Sequence, residues 1–276
     1  ADIDLAAIPD GFEIFGACAD HTSLSRRAEG PAHPALHAVV ALWQKERGDS
    51  AEFIKTALEK FAGAENIYVA EENDEIVAAA LAVPVTLKGR SGSYLYGLCG
   101  QGSLILAGLV DYLCAQQKLR GAGFTVAVPA GQEQAALLEN KGFQRAFALR
   151  CLPREVSRNL WSQAEFDSVT ARKLCELRER FYPDTVQFPP EQMAVVLTDL
   201  YARGATIVSS EKGYGIYFRR EDTLYFVELM AEDDRSAEKL MEALSADKEN
   251  QKMAETENKK YQEAWHNLQQ MQREPA

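Results

Sequence analysis

The 276-residue sequence has no hydrophobic run long enough to cross a membrane. Its longest apolar run, residues 76–85, is far shorter than the roughly 18 residues that indicate a membrane-spanning helix. Near the start of the sequence, no basic segment precedes an apolar stretch with a cleavage site, which is the pattern of a secretory signal. We therefore predict a protein that does not associate with membranes and is located in the cytoplasm.

Positive charge is scarce. The sequence holds 30 Lys and Arg residues against 41 Asp and Glu residues, which gives a net charge of -11. Such a surface repels the phosphate backbone of nucleic acids, and no local basic cluster offsets this repulsion. Nucleic-acid binding is therefore not expected. The same electrostatic field weakly favours cationic partners, amines among them.

Cysteine and histidine form no recognisable disulfide or metal-binding pattern. The five cysteines are odd in number and widely spaced, and no Cys-x-x-Cys motif occurs, which favours free thiols in a reducing compartment. His33 and His37 lie four residues apart, but Pro34 favours a helix start that leaves His33 outside the helix. We predict no metal site.

Hydrophobic periodicity and turn residues divide residues 34–151 into helices and strands. Helices are predicted at about 34–46, 51–61, 103–119 and 132–140, and strands at 67–70, 75–87, 93–99, 124–128 and 143–151. Short turns join the first three strands, so these strands should form an antiparallel meander. The strand after the third helix should lie parallel to the last meander strand, through a right-handed crossover. Upstream, residues 12–15 alternate weakly like a short strand.

The second half repeats this order of elements without repeating the residues. Helices are predicted at about 169–181, 190–202 and 234–246, and strands at 205–209, 214–219 and 223–230. Three consecutive acids, residues 232–234, should cap the last helix rather than bind an anion. We predict two domains, residues 1–155 and 165–276.

A segment rich in Gln, Glu, Lys and Asn follows the last of these helices. Tyr261, Trp265 and Leu268 form one narrow apolar stripe along it. This stripe predicts a helix that packs on its own domain. The alternative is a helix that binds a partner, through which an oligomer could form.

Four segments of the first half resemble the GCN5-related N-acetyltransferases, the GNAT superfamily. These are Trp43 to Ile54, with its Gly-Asp-Ser at 48–50, the strand at 94–99, and the segments 124–130 and 137–143. The resemblance covers about residues 34–150 and is closest to bacterial members with a second, degenerate GNAT-like half. It implies an α/β fold with a mixed sheet, in which a central antiparallel meander and a parallel strand are flanked by helices.

The resemblance also implies that the protein binds acetyl-CoA and transfers the acetyl group to an amine of a small molecule or peptide. In the family, pantetheine pairs with the edge of a splayed strand, and pyrophosphate binds a Q/R-x-x-G-x-G/A loop at the start of the next helix. The N–H groups and the dipole of a helix start suit phosphate, and one strand N–H near a bulge can polarise the thioester carbonyl. The matching positions are Leu98 and Cys99 on the strand and Gln101, Gly102, Ser103, Leu104, Ile105 and Leu106 in the loop.

The sequence departs from the family pattern at this loop. Leu104 and Leu106 stand at the glycine positions, where their side chains are expected to crowd the pyrophosphate. Gly102 and Ser103 could partly compensate by shifting the register. The connection between the strand and the loop is also several residues short. Leu138 stands where the family often has a tyrosine that acts as general acid, and leucine cannot transfer a proton.

Few side chains could fill the missing catalytic role. Tyr94 and Tyr96 share one face of the central strand, and Tyr96 is the catalytic candidate, although packing is the commoner role of a tyrosine in a sheet. Cys99 is either a thiol nucleophile or, more commonly for such a residue, a small buried cysteine. Two hypotheses follow: an N-acetyltransferase with an altered cofactor loop, or a catalytically inactive GNAT-fold module for binding or assembly.

Overall fold

The computed structural model describes residues 12–16, 34–73, 75–147, 164, 169–220 and 223–246. The chain divides into two compact units, Ala1–Leu149 and Arg150–Ala276. Tyr261, Trp265 and Leu268 of the predicted terminal stripe lie outside the described residues. Among the helices within these ranges, none is long and apolar enough to cross a membrane.

Five strands form the sheet of the first unit. They are β1 (Phe12–Gly16), β2 (Ile67–Glu72), β3 (Glu75–Leu87), β4 (Arg90–Gly100) and β5 (Thr125–Ala127), and they lie side by side in chain order. The first four strands pair antiparallel, and β5 pairs parallel to β4. The sheet confirms the predicted meander, the parallel strand and the strand at residues 12–15.

Helices cover both faces of this sheet. They are α1 (Pro34–Arg47), α2 (Ala51–Thr56), which continues as a π-helical turn (Ala57–Ala62), α3 (Ser103–Leu119) and α4 (Gln132–Asn140). The core beneath α3 and α4 joins Leu109 and Leu113 of α3 and Leu138 of α4 to the small side chains of β3. Since β3 is covered on both faces, residues 78–83 are all buried, which explains the continuous apolar run of the sequence.

The last strand predicted for the first half, at 143–151, is wrong over residues 143–147, to which the structure assigns no strand. Positions 148–151 lie outside the described residues. The backbone N–H of Phe143 donates instead to the carbonyl of Leu138, in the turn that closes α4. The ring of Phe143 packs at the margin of the core, whereas Phe147 is 54% exposed. Residues 144–147 are all exposed, so beyond Phe143 this segment neither packs against the core nor pairs as a strand.

The second unit contains the predicted helices and meander. Three antiparallel strands, β6 (Thr206–Ser210), β7 (Gly213–Arg220) and β8 (Thr223–Ala231), lie in chain order. Its helices are α5 (Ala171–Phe181), α6 (Pro190–Ala202) and α7 (Asp234–Ala246). One core packs α5 and α6 against the sheet, and a second packs α7 against it. Helix, helix, three strands and helix thus follow one another in both units, as predicted.

Candidate functional site

The parallel strands β4 and β5 separate soon after they pair. Their register joins Ser93 to Thr125, Tyr94 to Val126 and Leu95 to Ala127. There β5 ends, whereas β4 continues to Gly100. A cleft that we call the splay therefore opens between residues 96–100 of β4 and the segment 128–134 that follows β5. It lies at the carboxyl ends of both strands, the edge at which α/β proteins commonly bind ligands.

A β-bulge bends β4 at the splay. In the register with β3, Leu81 lies opposite Tyr96 and Ala79 opposite Cys99, so β4 has one more residue than β3 in this interval. The extra residue falls at Gly97, whose φ of +65° is typical of a bulge glycine. The bulge changes which backbone groups face β5.

Leu98, rather than Cys99, directs its backbone into the splay. The N–H of Gln101 donates to the carbonyl of Val77 on β3 (3.2 Å). Along a strand, successive residues direct their backbone groups to opposite sides, so this bond shows which residues at this end of β4 face β3. By that alternation, the N–H and C=O of Cys99 point towards β3, and the C=O of Leu98 points away from it. The Leu98 carbonyl indeed accepts a hydrogen bond from a side chain beyond β5. Of the two N–H groups predicted to polarise a thioester, that of Cys99 points towards β3, which leaves that of Leu98 as the candidate.

The segment predicted as a phosphate loop is mostly helix. Only Gln101 and Gly102 separate β4 from α3, so residues 103–106 form the first turn of α3. Gly102 has a φ of +83°, a conformation that favours glycine, and its carbonyl accepts the first helical bond from Leu106 (3.1 Å). Leucine, isoleucine and alanine all tolerate a helix well, which explains the early start. The N–H groups of residues 103–105 precede this first bond, directly after the end of β4.

The two leucines at the glycine positions have different environments. Leu104 is 53% exposed at the start of α3. Leu106 instead packs against the core that contains Leu109 and Leu113. A helix points these two positions in different directions, so Leu104 is the one of the two that is exposed at the helix start. That these leucines crowd a pyrophosphate stays a prediction.

Positive side chains are missing from the segments that form the splay. Residues 91–117 and 121–140 contain no lysine or arginine. Within these segments, an anion would be attracted by the N–H groups and the dipoles at the starts of α3 and α4, since no cationic side chain is present. On the other side of the mouth, Val128 is 73% exposed.

Gln134 of α4 spans the splay, a contact that the sequence analysis missed. Its Oε1 accepts from the N–H of Ala130 (2.8 Å), and its Nε2 donates to the carbonyl of Leu98 (3.1 Å). A glutamine three positions after the helix cap Gly131 is a known sequence signal for a bond back to the cap, and the first of these bonds goes to the residue before it. The second bond joins residues 36 positions apart in the chain and has no local signal.

The predicted catalytic side chains lie in packed surroundings. Tyr96 contacts the rings of Trp43, Phe61 and Tyr94 at centroid distances of 5.8, 5.4 and 5.6 Å. Cys99 is buried, and this burial raises the pKa of its thiol to about 12. The structure therefore favours the buried cysteine over the thiol nucleophile for Cys99.

Leu138, at the position of the missing tyrosine, is a core residue that is 4% exposed. Its side chain packs with those of α3 and the sheet. Across the described part of the chain, no three His, Cys, Asp or Glu side chains form a group that could hold a metal ion.

The sequence and the structure were compared with known proteins. No family model matches the sequence, and no curated protein matches it. Solved structures do match, among them a GCN5-related N-acetyltransferase from Anabaena variabilis (TM-score 0.57, 12% identity, 85% of this chain and 62% of that chain). A second is Eis1 from Mycobacterium abscessus (TM-score 0.55, 15% identity, 79% of this chain and 62% of that chain). A third is a GCN5-related N-acetyltransferase from Kribbella flavida (TM-score 0.54, 15% identity, 85% of this chain and 60% of that chain).

The chain therefore has the GNAT fold, an α/β fold with a mixed sheet and flanking helices, as the resemblance implied. It spans about three fifths of the length of each of these three proteins. Its architecture is N-acetyltransferase-like.

Proposed function

We propose that the protein binds acetyl-CoA in the splay and transfers its acetyl group to an amine of a small molecule or a peptide. The observation that carries the proposal is the separation of β4 from β5 after Leu95, with the Leu98 backbone turned into the gap. The start of α3 follows β4 at the same edge of the sheet. The edge of β4 fits the amides of the pantetheine arm of acetyl-CoA, and the start of α3 fits its pyrophosphate.

Leu98 has the central role in this proposal. Its carbonyl already accepts a hydrogen bond from a carboxamide, so it fits the amide chain of pantetheine. Its N–H would stabilise negative charge on the thioester oxygen as an unprotonated amine attacks the carbonyl carbon. Acetyl-CoA supplies the activated acetyl group; a C–N bond forms, the C–S bond breaks, and the thiolate takes up a proton. The N–H groups of residues 103–105 would bind the pyrophosphate, with no lysine or arginine in the splay segments to help.

Tyr96 remains the candidate for the proton transfer to the leaving thiolate. Its ring packs against Trp43, Phe61 and Tyr94, so a catalytic role would fall to the hydroxyl group. Tyr96→Phe keeps the ring and removes the hydroxyl. A general acid contributes at least about 100-fold to the rate, so kcat should fall by that factor. Tyr94→Phe is the matched control and should leave kcat unchanged.

A second candidate function is a binding or assembly module without catalysis. Two observations favour it: Leu138 is buried where a general acid is expected, and Gln134 already fills the edge of β4. In this proposal the second unit is a degenerate GNAT-like half, and the segment 249–272 mediates association with a second copy. A location in the cytoplasm is part of both proposals.

Calorimetric titration with acetyl-CoA and with CoA, followed by a thiol-release assay on a panel of amines, separates the two candidates. A ligand at about 100 times its dissociation constant should stabilise the fold by about 2.7 kcal/mol, which thermal unfolding detects. Binding with thiol release supports the transferase. Binding without release for any amine supports the module, and the absence of binding removes the acetyl-CoA site.

A further inference from the structure

The carboxamide of Gln134 bridges the two sides of the splay. Its acceptor atom binds the N–H of Ala130, in the segment after β5, and its donor atom binds the carbonyl of Leu98 on β4. The side chain belongs to the first turn of α4, which begins at Gln132. Both polar atoms of the carboxamide are therefore engaged within the cleft.

Helix capping accounts for only one of these two bonds. A glutamine in the third position of a helix often reaches back to an N–H at the helix start, which satisfies a backbone donor that the helix leaves free. The bond to Ala130 resembles this pattern, although it goes to the residue before the cap Gly131. The bond to Leu98 does nothing for the helix, and it occupies a carbonyl whose parallel strand has already ended.

A carboxamide in this position presents the same donor and acceptor as a secondary amide of an extended chain. We infer that Gln134 occupies the place of a ligand amide and has to move away from Leu98 before such a chain can pair with β4. This inference rests on the proposed function, in which the chain is the pantetheine arm of the cosubstrate. Gln134 then sets the affinity of the site by competing with the ligand, and it takes no part in the chemistry.

The variant Gln134→Glu separates this competition from capping. Glutamate keeps an acceptor for the N–H of Ala130 but has no donor for the Leu98 carbonyl, which its carboxylate repels. The probe is pantetheine, which is neutral, because the added charge would repel the phosphates of CoA. The matched control is Gln132→Glu, an exposed position that adds the same charge to the same helix turn. Thermal unfolding of each variant verifies that it is folded.

We expect Gln134→Glu to bind pantetheine at least fivefold more tightly than the native protein, as the loss of one competing hydrogen bond implies. Gln132→Glu should bind it like the native protein. If the native protein binds CoA and pantetheine but Gln134→Glu binds pantetheine no more tightly, the inference is wrong and the proposed function stands. An equal gain in both variants would assign the effect to charge and also overturn the inference. If no form binds either ligand, the inference and the proposed acetyl-CoA site are both wrong.

Discussion

The indole ring of Trp43 lies directly against the backbone of Gly97. A Cβ atom built on Gly97 would stand 2.3 Å from Cη2 of Trp43, and no real contact is that short. The ring is held in place by its Nε1, which donates to the carboxylate of Asp49 (2.8 Å). Because Gly97 forms the bulge that turns Leu98 into the splay, this contact joins the packing of α1 to the geometry of the candidate site.

Gly97→Ala should therefore destabilise the protein strongly. A non-glycine residue at a positive φ costs about 1–2 kcal/mol, and forcing extra volume into a packed site costs roughly another 1–3 kcal/mol. We expect a loss of about 3 kcal/mol in the free energy of unfolding, measured with urea. Gly89→Ala is the control, since Gly89 has a similar φ of +73° but no atom within 4 Å of the added Cβ. Equal losses for the two variants would contradict the role of the Trp43 contact.

Long elements with a clear period could be predicted from the sequence. The periodicity and the flanking turns predict β3 at 75–87 and α3 at about 103–119, and the structure has Glu75–Leu87 and Ser103–Leu119. The antiparallel meander and the parallel strand followed from short turns and the crossover helix. Leu98 enters the candidate site through the resemblance, which matches the strand before that helix to the strand that pairs with pantetheine in the family.

The details that shape the site could not be predicted in this way. The bulge at Gly97 depends on how β4 pairs with β3 and on the ring of Trp43, which lies far away in the sequence. The bond between Gln134 and Leu98 depends on where α4 lies relative to β4. The false strand at 143–147 shows the same limit, because its apolar residues settle neither burial nor backbone pairing, and only Phe143 packs against the core.

A half-buried ion pair lies in the core of the second unit. Arg178 of α5 pairs with Glu228 of β8, and Glu228 also accepts a hydrogen bond from the buried hydroxyl of Tyr214. The side chains of Arg178 and Glu228 are only 13% and 19% exposed. Burial, and then the charge of Glu228, raises the pKa of the Tyr214 hydroxyl, so it remains a donor. Glu228→Leu should destabilise the protein by about 3–5 kcal/mol, because it leaves a buried guanidinium without its carboxylate.

Two further variants test that explanation by urea unfolding. In the double variant Arg178→Met, Glu228→Leu, no unpaired charge remains, so most of the lost stability should return. Glu232→Leu removes the partner of Arg180 in a pair whose side chains are 59% and 43% exposed, and it should cost less than about 1 kcal/mol. A double variant as unstable as Glu228→Leu alone would show that charge burial is not the cause.

The start of α7 gives a prediction about pH. As predicted for the acids at 232–234, Asp233 caps this helix: its Oδ1 accepts from the N–H of Ser236 (2.7 Å), and this bond lowers the pKa of the Asp233 carboxyl. The folded protein therefore binds this proton less readily than the unfolded chain, whose aspartate pKa is about 3.9. The contribution to stability is fully present above about pH 4 and is lost as the pH falls through the folded pKa.

Asp233→Ala should thus be less stable than the native protein at pH 7, and the difference should shrink below about pH 4. Asp233→Asn keeps an acceptor for the Ser236 N–H and cannot ionise, so its capping contribution should not vary with pH. Urea unfolding at pH 7 and at pH 3 measures both effects. A difference between native protein and Asp233→Ala that stays constant over this range would show that the charged carboxylate does not carry the cap.

The last prediction concerns the start of α3, where leucines replace the glycines of the family pattern. The double variant Leu104→Gly, Leu106→Ala should bind acetyl-CoA at least tenfold more tightly than the native protein, a difference of about 1.4 kcal/mol, measured by titration calorimetry. It should also melt at a lower temperature without ligand, because glycine in a helix costs roughly 1 kcal/mol relative to residues such as leucine.

The single variants divide these two effects, because only Leu104 is exposed at the mouth while Leu106 packs in the core. Leu104→Gly should give most of the gain in affinity with a small loss of stability. Leu106→Ala should lower the free energy of unfolding by about 2 kcal/mol, as expected for a leucine removed from a core, and leave the affinity unchanged. Tight binding by the native protein that neither substitution alters would mean that the pyrophosphate lies elsewhere. An affinity gain carried by Leu106→Ala alone would mean that the first turn of α3 has to unwind before the cosubstrate binds.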